Sequence, residues 1–114
     1  MKVATKSHLI AALVLSSLTA FAASTVTVDG WVSDSKCAAD HAAAGPNPGC
    51  VSKCIAGGAK PVFVDADNKV WTIDNPDAVK GHYGHHVSVV ASENASTKAV
   101  HITQVTMLAD QGTK

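Results

Sequence analysis

Apolar and polar residues alternate along much of the chain after residue 24. Val26, Val28 and Val32 are separated by polar or small neighbours, which is the period of two expected for a strand with one buried face. Later stretches are rich in β-branched residues and are bounded by turn-forming residues. The pattern therefore predicts five strands, at residues 25–32, 61–65, 69–73, 86–92 and 98–108.

A first helix is predicted directly after the first strand. The alanine-rich residues 36–44 have high helix propensity, and either Asp34 or Ser35 can cap their N-terminal end. Gly45, followed by proline, ends the helical stretch.

A second short helix is predicted before the second strand, with Asn47 as its N-cap, Pro48 at its first position and Gly57 after its end. Five strands with a helical insertion after the first are typical of a small, mainly β fold. We expect a five-stranded OB-like barrel. A rolled antiparallel sheet covered by the two helices is the alternative, because the pattern does not determine whether the sheet closes.

The first 22 residues have the pattern of a secretory signal. Lys2 and Lys6 precede an apolar run, and a small-x-small cleavage pattern ends at Ala22. The run is too short for a membrane helix, which needs about 20 apolar residues. We therefore expect cleavage near Ala22, a periplasmic or secreted bacterial protein without a membrane span, and one small β-rich domain at residues 23–114.

The net charge of the chain limits the classes of partner that it is expected to bind. Removal of the signal takes two of the nine lysines, and the remaining seven face nine acidic residues, which gives a net charge near −2. The chain has no arginine and no basic run. Nucleic-acid binding, which requires clustered cationic side chains, is therefore not expected. A protein partner or small ligand is not defined by the sequence.

The most informative cluster contains all three cysteines and one histidine. Cys37 and His41 are spaced i, i+4, and so are Cys50 and Cys54. On a helix this spacing places both side chains on one face, with Cβ atoms about 5–6 Å apart. Zinc sites of the Cys3His type collect their ligands as two close pairs. These four residues are therefore a candidate site for zinc, or for copper(I), which also accepts soft thiolates.

A disulfide is the alternative chemistry for the same cysteines. Exported proteins meet an oxidising compartment, and small domains there are often cross-linked. A Cys37–Cys54 bridge would stabilise the fold by about 3 kcal/mol and leave one thiol over. Two functions stay open: an exported domain that binds a transition metal for a structural or sequestering role, and a disulfide-stapled binding or interaction module without metal.

A second cluster contains His82, His85 and His86, whose imidazoles could also bind a metal ion. We favour a polar turn leading into a strand. If the last hairpin pairs Val89 with Val100, His86 lies on its solvent face.

Motifs of several enzyme classes are missing from the sequence. The gap between Cys50 and Cys54 is one residue too long for haem attachment or for a thioredoxin-like site. Nucleophile elbows, phosphate-binding glycine loops and zinc-protease helices do not occur either. We therefore assign no catalytic residue and infer no enzymatic activity.

Three segments of the chain resemble a group of small exported bacterial domains of uncharacterised function. The segments are residues 30–37, 50–54 and 58–64, with His41 between the first two, and the resemblance extends from Gly30 to Met107. These domains open with a strand that ends in Asp-x-x-Cys, carry a later histidine and a Cys-x3-Cys pair, and finish with further strands. The resemblance implies bacterial export and a small β-rich fold, and it implies no activity.

Overall fold

A computed structural model of the protein describes residues 25–40 and 45–111, so the expected signal at residues 1–22 lies outside the described residues. No helix in the described part of the chain is long and apolar enough to cross a membrane. The elements are β1 (Thr25–Asp34), α1 (Pro48–Ala56), β2 (Pro61–Asp65), β3 (Val70–Ile73), a 3-10 helix (Pro76–Val79), β4 (His86–Asn94) and β5 (Ala99–Met107).

The five strands form a closed barrel in the order β1-β2-β3-β5-β4, with β4 paired to β1. Neighbouring strands are antiparallel except β3 and β5, which are parallel. This confirms the predicted five-stranded OB-like barrel with a helical insertion after the first strand, and the sheet is closed rather than open.

The barrel core is built mainly from valine around one phenylalanine, and its buried members are Val32, Phe63, Ile73, Val79, Val87, Val89, Ala91, Val100 and Ile102. Gly30 allows the close approach of β2 to β1. A Cβ atom there would press on the Val64 carbonyl oxygen and lie 2.6 Å from Phe63 Cζ. Since the core has a single large aromatic, its packing depends on that approach.

The second strand, β2, is buried on both faces. Phe63 points into the barrel, whereas Val62 and Val64 form a separate cluster outside it. Trp31 and Ala38 are among the residues that cover this cluster. The segment after β1 therefore packs on the outer surface of β2, and this packing joins the insertion to the barrel.

The last hairpin differs in register from the predicted one. Val89 pairs with Val105, not with Val100, and Ser92 pairs with His101. A shift in register between Val90 and Ala91 adds one residue to β5 and accounts for part of the difference. The alternation itself is as expected, because Val89 is buried and the residues beside it lie outside.

The seam between β3 and β5 contains two residue pairs, Thr72 with Ala99 and Ile73 with Val100. The side chain of Asn75 extends the seam. Its Nδ2 donates to the Ile102 carbonyl oxygen (2.6 Å), and its Oδ1 accepts from the Ile102 amide (2.9 Å). The amide side chain thus continues the ladder beyond the end of β3.

Candidate functional site

Cys37 lies in a turn directly after β1, where a helix starting at residue 36 is predicted. Asp34 is fully buried, and its Oδ1 accepts hydrogen bonds from the Lys36 amide (2.9 Å) and the Cys37 amide (3.0 Å). Ala38 follows with a φ of 43°, outside the right-handed helical region. Because the buried carboxylate holds this turn, the helix prediction is wrong for Cys37.

His41 lies outside the described residues. Helical conformation begins at Ala39, two residues after Cys37. The pairing of Cys37 with His41 therefore stays a prediction.

Cys50 and Cys54 lie on α1, as predicted, one turn apart. The helix begins at Pro48, and Gly57 follows its last residue. Asn47 makes no capping hydrogen bond with its side chain, and its carbonyl oxygen accepts from the Val51 amide (3.1 Å). Cys50 is exposed and Cys54 is half-buried, and their side chains are hydrogen-bonded to each other.

The start of α1 is docked on the loop before β4. The Asn47 amide donates to the Gly84 carbonyl oxygen (3.0 Å), and the Gly84 amide donates to Val32 in β1 (2.8 Å). Gly84 has a φ of 75°, and a Cβ atom there would lie 2.5 Å from the Asn47 carbonyl group. Val51 is the buried residue of the helix. These contacts fix the position of the two helical cysteines relative to β1.

The thiols act on one another electrostatically. The pKa of Cys37 is raised by desolvation and then by the negative charges of Asp34 and Cys54. The pKa of Cys50 is raised by desolvation, by the charge of Cys54 and by the hydrogen bond to it, with smaller effects of Cys37 and Asp34. Three thiols and one buried carboxylate therefore lie within interaction range at the base of the insertion.

No disulfide joins Cys37, Cys50 and Cys54 in the structure. Within residues 25–40 and 45–111, no set of three or more histidine, cysteine or acidic side chains is arranged to hold a metal ion. Beside the helical cysteines lies a surface groove of about 310 Å3, lined by Lys36, Cys50, Lys53, Cys54, Gly57 and Ala59.

Comparison of the chain with protein-family models, with curated proteins and with solved structures finds no match. We therefore infer function from the arrangement of these side chains.

The histidine cluster is a structural part of the barrel rim. His86 stacks on Trp31, with ring centroids 4.7 Å apart, and the Asp110 carbonyl oxygen lies 2.8 Å from its Nδ1. His82 and His85 are half-buried in the preceding loop, and each has a buried Nδ1 without a hydrogen-bond partner. The polar turn leading into a strand is as expected, but these side chains are less solvated than a surface turn implies.

Two features of the structure are not predicted from the sequence. The first is Asp34, whose position at the end of an alternating strand just before a cysteine could have identified it as a turn former. The second is the contact of His101 Nδ1 with Asp74 Oδ1 (2.6 Å), which the β3–β5 seam brings together across 27 positions in the chain. No local pattern indicates that contact.

Proposed function

We propose that this protein is an exported domain that binds one soft transition-metal ion, zinc or copper(I), through the thiolates of Cys37, Cys50 and Cys54, with His41 as the fourth ligand. The barrel is the scaffold, and the insertion between β1 and β2 supplies the ligands. The role of the ion is structural or sequestering.

One observation supports the proposal, namely that the three thiols lie within electrostatic range of one another, although no three described side chains are arranged around an ion. Cys50 is hydrogen-bonded to Cys54, and the charge of Cys54 adds to desolvation in raising the pKa of Cys37 and of Cys50. The cysteines come from two separate segments, a turn after β1 and a helix, as in sites that collect ligands in pairs.

The electrostatics favour a cation at this position. Ionisation of all three thiols would place three negative charges beside the buried carboxylate of Asp34, and this repulsion is part of what raises the pKa of Cys37 and of Cys50. A bound metal ion removes the repulsion, and a coordinating thiol gives up its proton. Metal binding is thus expected to strengthen with pH.

A disulfide remains the second candidate, and the described helix limits its form. Cys50 and Cys54 lie one turn apart on α1, where Cβ atoms are about 5–6 Å apart. A disulfide needs a Cβ separation of about 3.5–4.5 Å. We therefore expect an intramolecular bridge to include Cys37, most directly with Cys54, and to leave one helical thiol free or available for an intermolecular bond.

The test is to purify the protein anaerobically from the bacterial envelope and to measure bound metal and reactive thiols in the same sample. Metal binding predicts one ion per chain and three thiols that react only after the metal is removed. A sample with no metal and one titratable thiol would contradict the proposal and support the disulfide.

Substitution of single candidate ligands tests which residues bind the ion. Cys50→Ser is expected to abolish stoichiometric metal and to lower stability, because a site with fewer thiolates binds the ion less tightly. His41→Ala is expected to weaken binding. His82→Ala is the matched control for loss of an imidazole and is expected to leave the metal content unchanged.

A further inference from the structure

A groove away from the cysteines lies between the turn that joins β2 to β3 and the loop that joins β4 to β5. Its volume of about 470 Å3 is within the range of small-molecule sites. The lining consists of apolar side chains, one amide and two lysines, without an acidic residue, and its members are Asn68, Lys69, Val70, Trp71, Ala95 and Lys98. All of them belong to the barrel and its connections, so the groove is separate from the insertion.

The apolar part of the groove contains Trp71 and Val70, which are neighbours in β3. Trp71 is half-buried and packs against the barrel core, and it also lines the groove. Val70 is one of two large hydrophobic side chains of the described residues that are exposed. Covering this apolar surface with a ligand is favourable, and the indole offers a flat ring on which an aromatic ligand can stack.

The turn side of the groove is held by the carboxylate of Asp65. Its Oδ2 accepts a hydrogen bond from Trp71 Nε1 (3.0 Å), and its Oδ1 accepts one from the Lys69 amide (2.9 Å). One buried end of β2 therefore positions both the indole and the backbone of the lysine. Groups that are positioned before binding lower the entropy cost of association.

The loop side of the groove is held by Asn94 and by the backbone of Lys98. Asn94 Oδ1 accepts hydrogen bonds from the amides of Ser96 (3.1 Å) and Thr97 (3.3 Å). The Lys98 carbonyl oxygen accepts one from the Thr72 amide (2.9 Å), which ties the loop to β3. Lys98 has a φ of 51°, a left-handed conformation that is uncommon for lysine and is maintained by the contacts around it.

The two lysines give the groove a positive charge. Lys69 and Lys98 are exposed, and in the part of the chain that the structure describes neither forms an ion pair. Asp65 interacts electrostatically with Lys69, but its oxygens already accept the hydrogen bonds of the indole and the turn. Ammonium groups bind carboxylates through charge-assisted hydrogen bonds, so the groove is complementary to an anion.

We propose that this groove binds a small aromatic carboxylate, whose ring stacks on Trp71 and contacts Val70 while its carboxylate binds Lys69 and Lys98. The ring covers the exposed apolar surface, and the carboxylate neutralises the only charges that line the groove. Binding is non-covalent, and it does not depend on metal binding because no cysteine lines this groove.

The experiment is a titration of the 15N-labelled protein with benzoate, followed by the NMR signal of the Trp71 indole N–H. Benzyl alcohol has the same ring without the charge, and cyclohexanecarboxylate has the charge without a flat ring. At equal ionic strength we expect a Kd of about 1 mM for benzoate, as is usual for so small a ligand. The alcohol should bind about tenfold more weakly, and the saturated acid about fivefold more weakly.

Variants locate the binding site. Lys69→Gln/Lys98→Gln is expected to bind benzoate as weakly as the parent binds benzyl alcohol. Lys36→Gln/Lys53→Gln, which removes two lysines beside the cysteines, is the matched control and should keep the parent affinity. Ala95→Leu fills part of the groove from the exposed loop and should abolish binding without removing charge. Unfolding midpoints equal to that of the parent establish that each variant is folded.

Several results would overturn the proposal. Equal affinity for benzoate and benzyl alcohol would exclude recognition of the carboxylate, and so would equal affinity of the two double variants for benzoate. Signal changes at Trp31, which lies outside the groove, as large as those at Trp71 would show non-specific binding. No change of the Trp71 signal with any of the three compounds would exclude the site.

Discussion

The barrel and the insertion between β1 and β2 are built on different principles. In the barrel each strand is paired on both sides, and the core residues are almost completely buried. In α1 of the insertion Val51 is the one buried side chain, and the described residues of the insertion make backbone contacts to the barrel. Among these are the hydrogen bonds of Ser35 with Lys60 and of Asn47 with Gly84.

The barrel therefore supplies most of the stability of this small domain, whereas the insertion carries its candidate reactive groups. Burial of apolar area stabilises the barrel without any ligand. The insertion carries all three cysteines, and its own packing is too limited to hold them in a single arrangement without help from the barrel or from an ion. The comparison predicts that some substitutions unfold the barrel, whereas others loosen only the insertion.

The largest effect is expected from Gly30→Ala. The added Cβ would press on the Val64 carbonyl group and on the Phe63 ring, both of which are fixed in the core. We expect the free energy of unfolding to fall by about 3 kcal/mol, which is the upper part of the range for overpacking. Urea denaturation measures this change in the free energy of unfolding.

Gly49→Ala is the control for this substitution, because a Cβ on Gly49 in α1 meets no atom within 4 Å. That variant is expected to keep or raise stability, since alanine favours a helix over glycine. Equal stability of the two variants would contradict the close packing of β1 on β2.

A second, local effect is expected from Gly84→Ala, with Gly81→Ala as its control. Both glycines have positive φ, so both substitutions cause similar backbone strain. A Cβ clashes with Asn47 only at Gly84, while Gly81 faces open space. We expect Gly84→Ala to cost about 2 kcal/mol more than its control.

The loss of stability caused by Gly84→Ala should be confined to the insertion. Hydrogen exchange should accelerate at the α1 amides, Val51 among them, and change little at the barrel amides of β4 and β5. Equal acceleration throughout the domain would show that insertion and barrel unfold as one unit.

Low pH should lower the stability of the barrel. The carboxylate of Asp65 accepts hydrogen bonds from Trp71 Nε1 (3.0 Å) and from the amides of Asp67 and Lys69 (both 2.9 Å). Partial burial acts to raise the pKa of Asp65, but these hydrogen bonds outweigh it and lower the pKa below 3.8. The stabilisation is present above that value and is lost as the pH falls through the folded-state pKa.

Asp65→Asn is therefore expected to cost about 1 kcal/mol at neutral pH and much less in acid, where the parent carboxylate is protonated. Thermal unfolding across this pH range measures the difference, with Asp67→Asn as the control at an exposed turn position. A constant difference at all pH values would exclude the carboxylate charge as its cause.

High pH should destabilise the insertion of the metal-free protein, and we expect this to be the smallest of the effects. The pKa values of Cys37 and Cys50 are raised above 9.0, so the folded state holds these protons more tightly than the unfolded chain. The stability of the metal-free protein is then full below that value and is lost as the pH rises through the folded-state pKa values. The metal-bound protein should not show this loss, because its thiols are already deprotonated.

Unfolding midpoints of the metal-free protein, measured up to about pH 10, test this expectation. The double variant Cys37→Ala/Cys50→Ala removes the two thiols whose pKa is raised, and it should reduce the fall of the unfolding midpoint at high pH. Tyrosine and lysine also titrate in this range, so the difference between parent and variant is the quantity of interest. An unchanged decline would assign it to those other groups.

The sequence predicted the features that depend on neighbouring residues. Alternation identified the five strands, and Pro48 and Gly57 marked both ends of α1. The turn at Cys37 was missed because the side chain of Asp34 outcompeted the helix propensity of the alanines that follow it.

Features that depend on distant residues could not be predicted from local patterns. Closure of the barrel requires β3 to pair with β5 across a helix and a complete strand, and the register of the last hairpin depends on the shift near Val90. The convergence of Cys37 with the α1 cysteines depends in turn on docking at Gly84, which no spacing in the chain indicates.

The short β3–β5 seam has a consequence for the order of folding. The hairpin of β2 with β3 and the hairpin of β4 with β5 each form from neighbouring segments, whereas the seam joins residues 27 positions apart and has to overcome the loss of chain entropy before its contacts form. We expect the two hairpins to form first and the barrel to close afterwards, through this seam and through the pairing of β1 with β4, which joins still more distant residues such as Val28 and Val89. The Asn75 amide adds two hydrogen bonds to that seam, so we expect it to stabilise the closed barrel against local opening between β3 and β5.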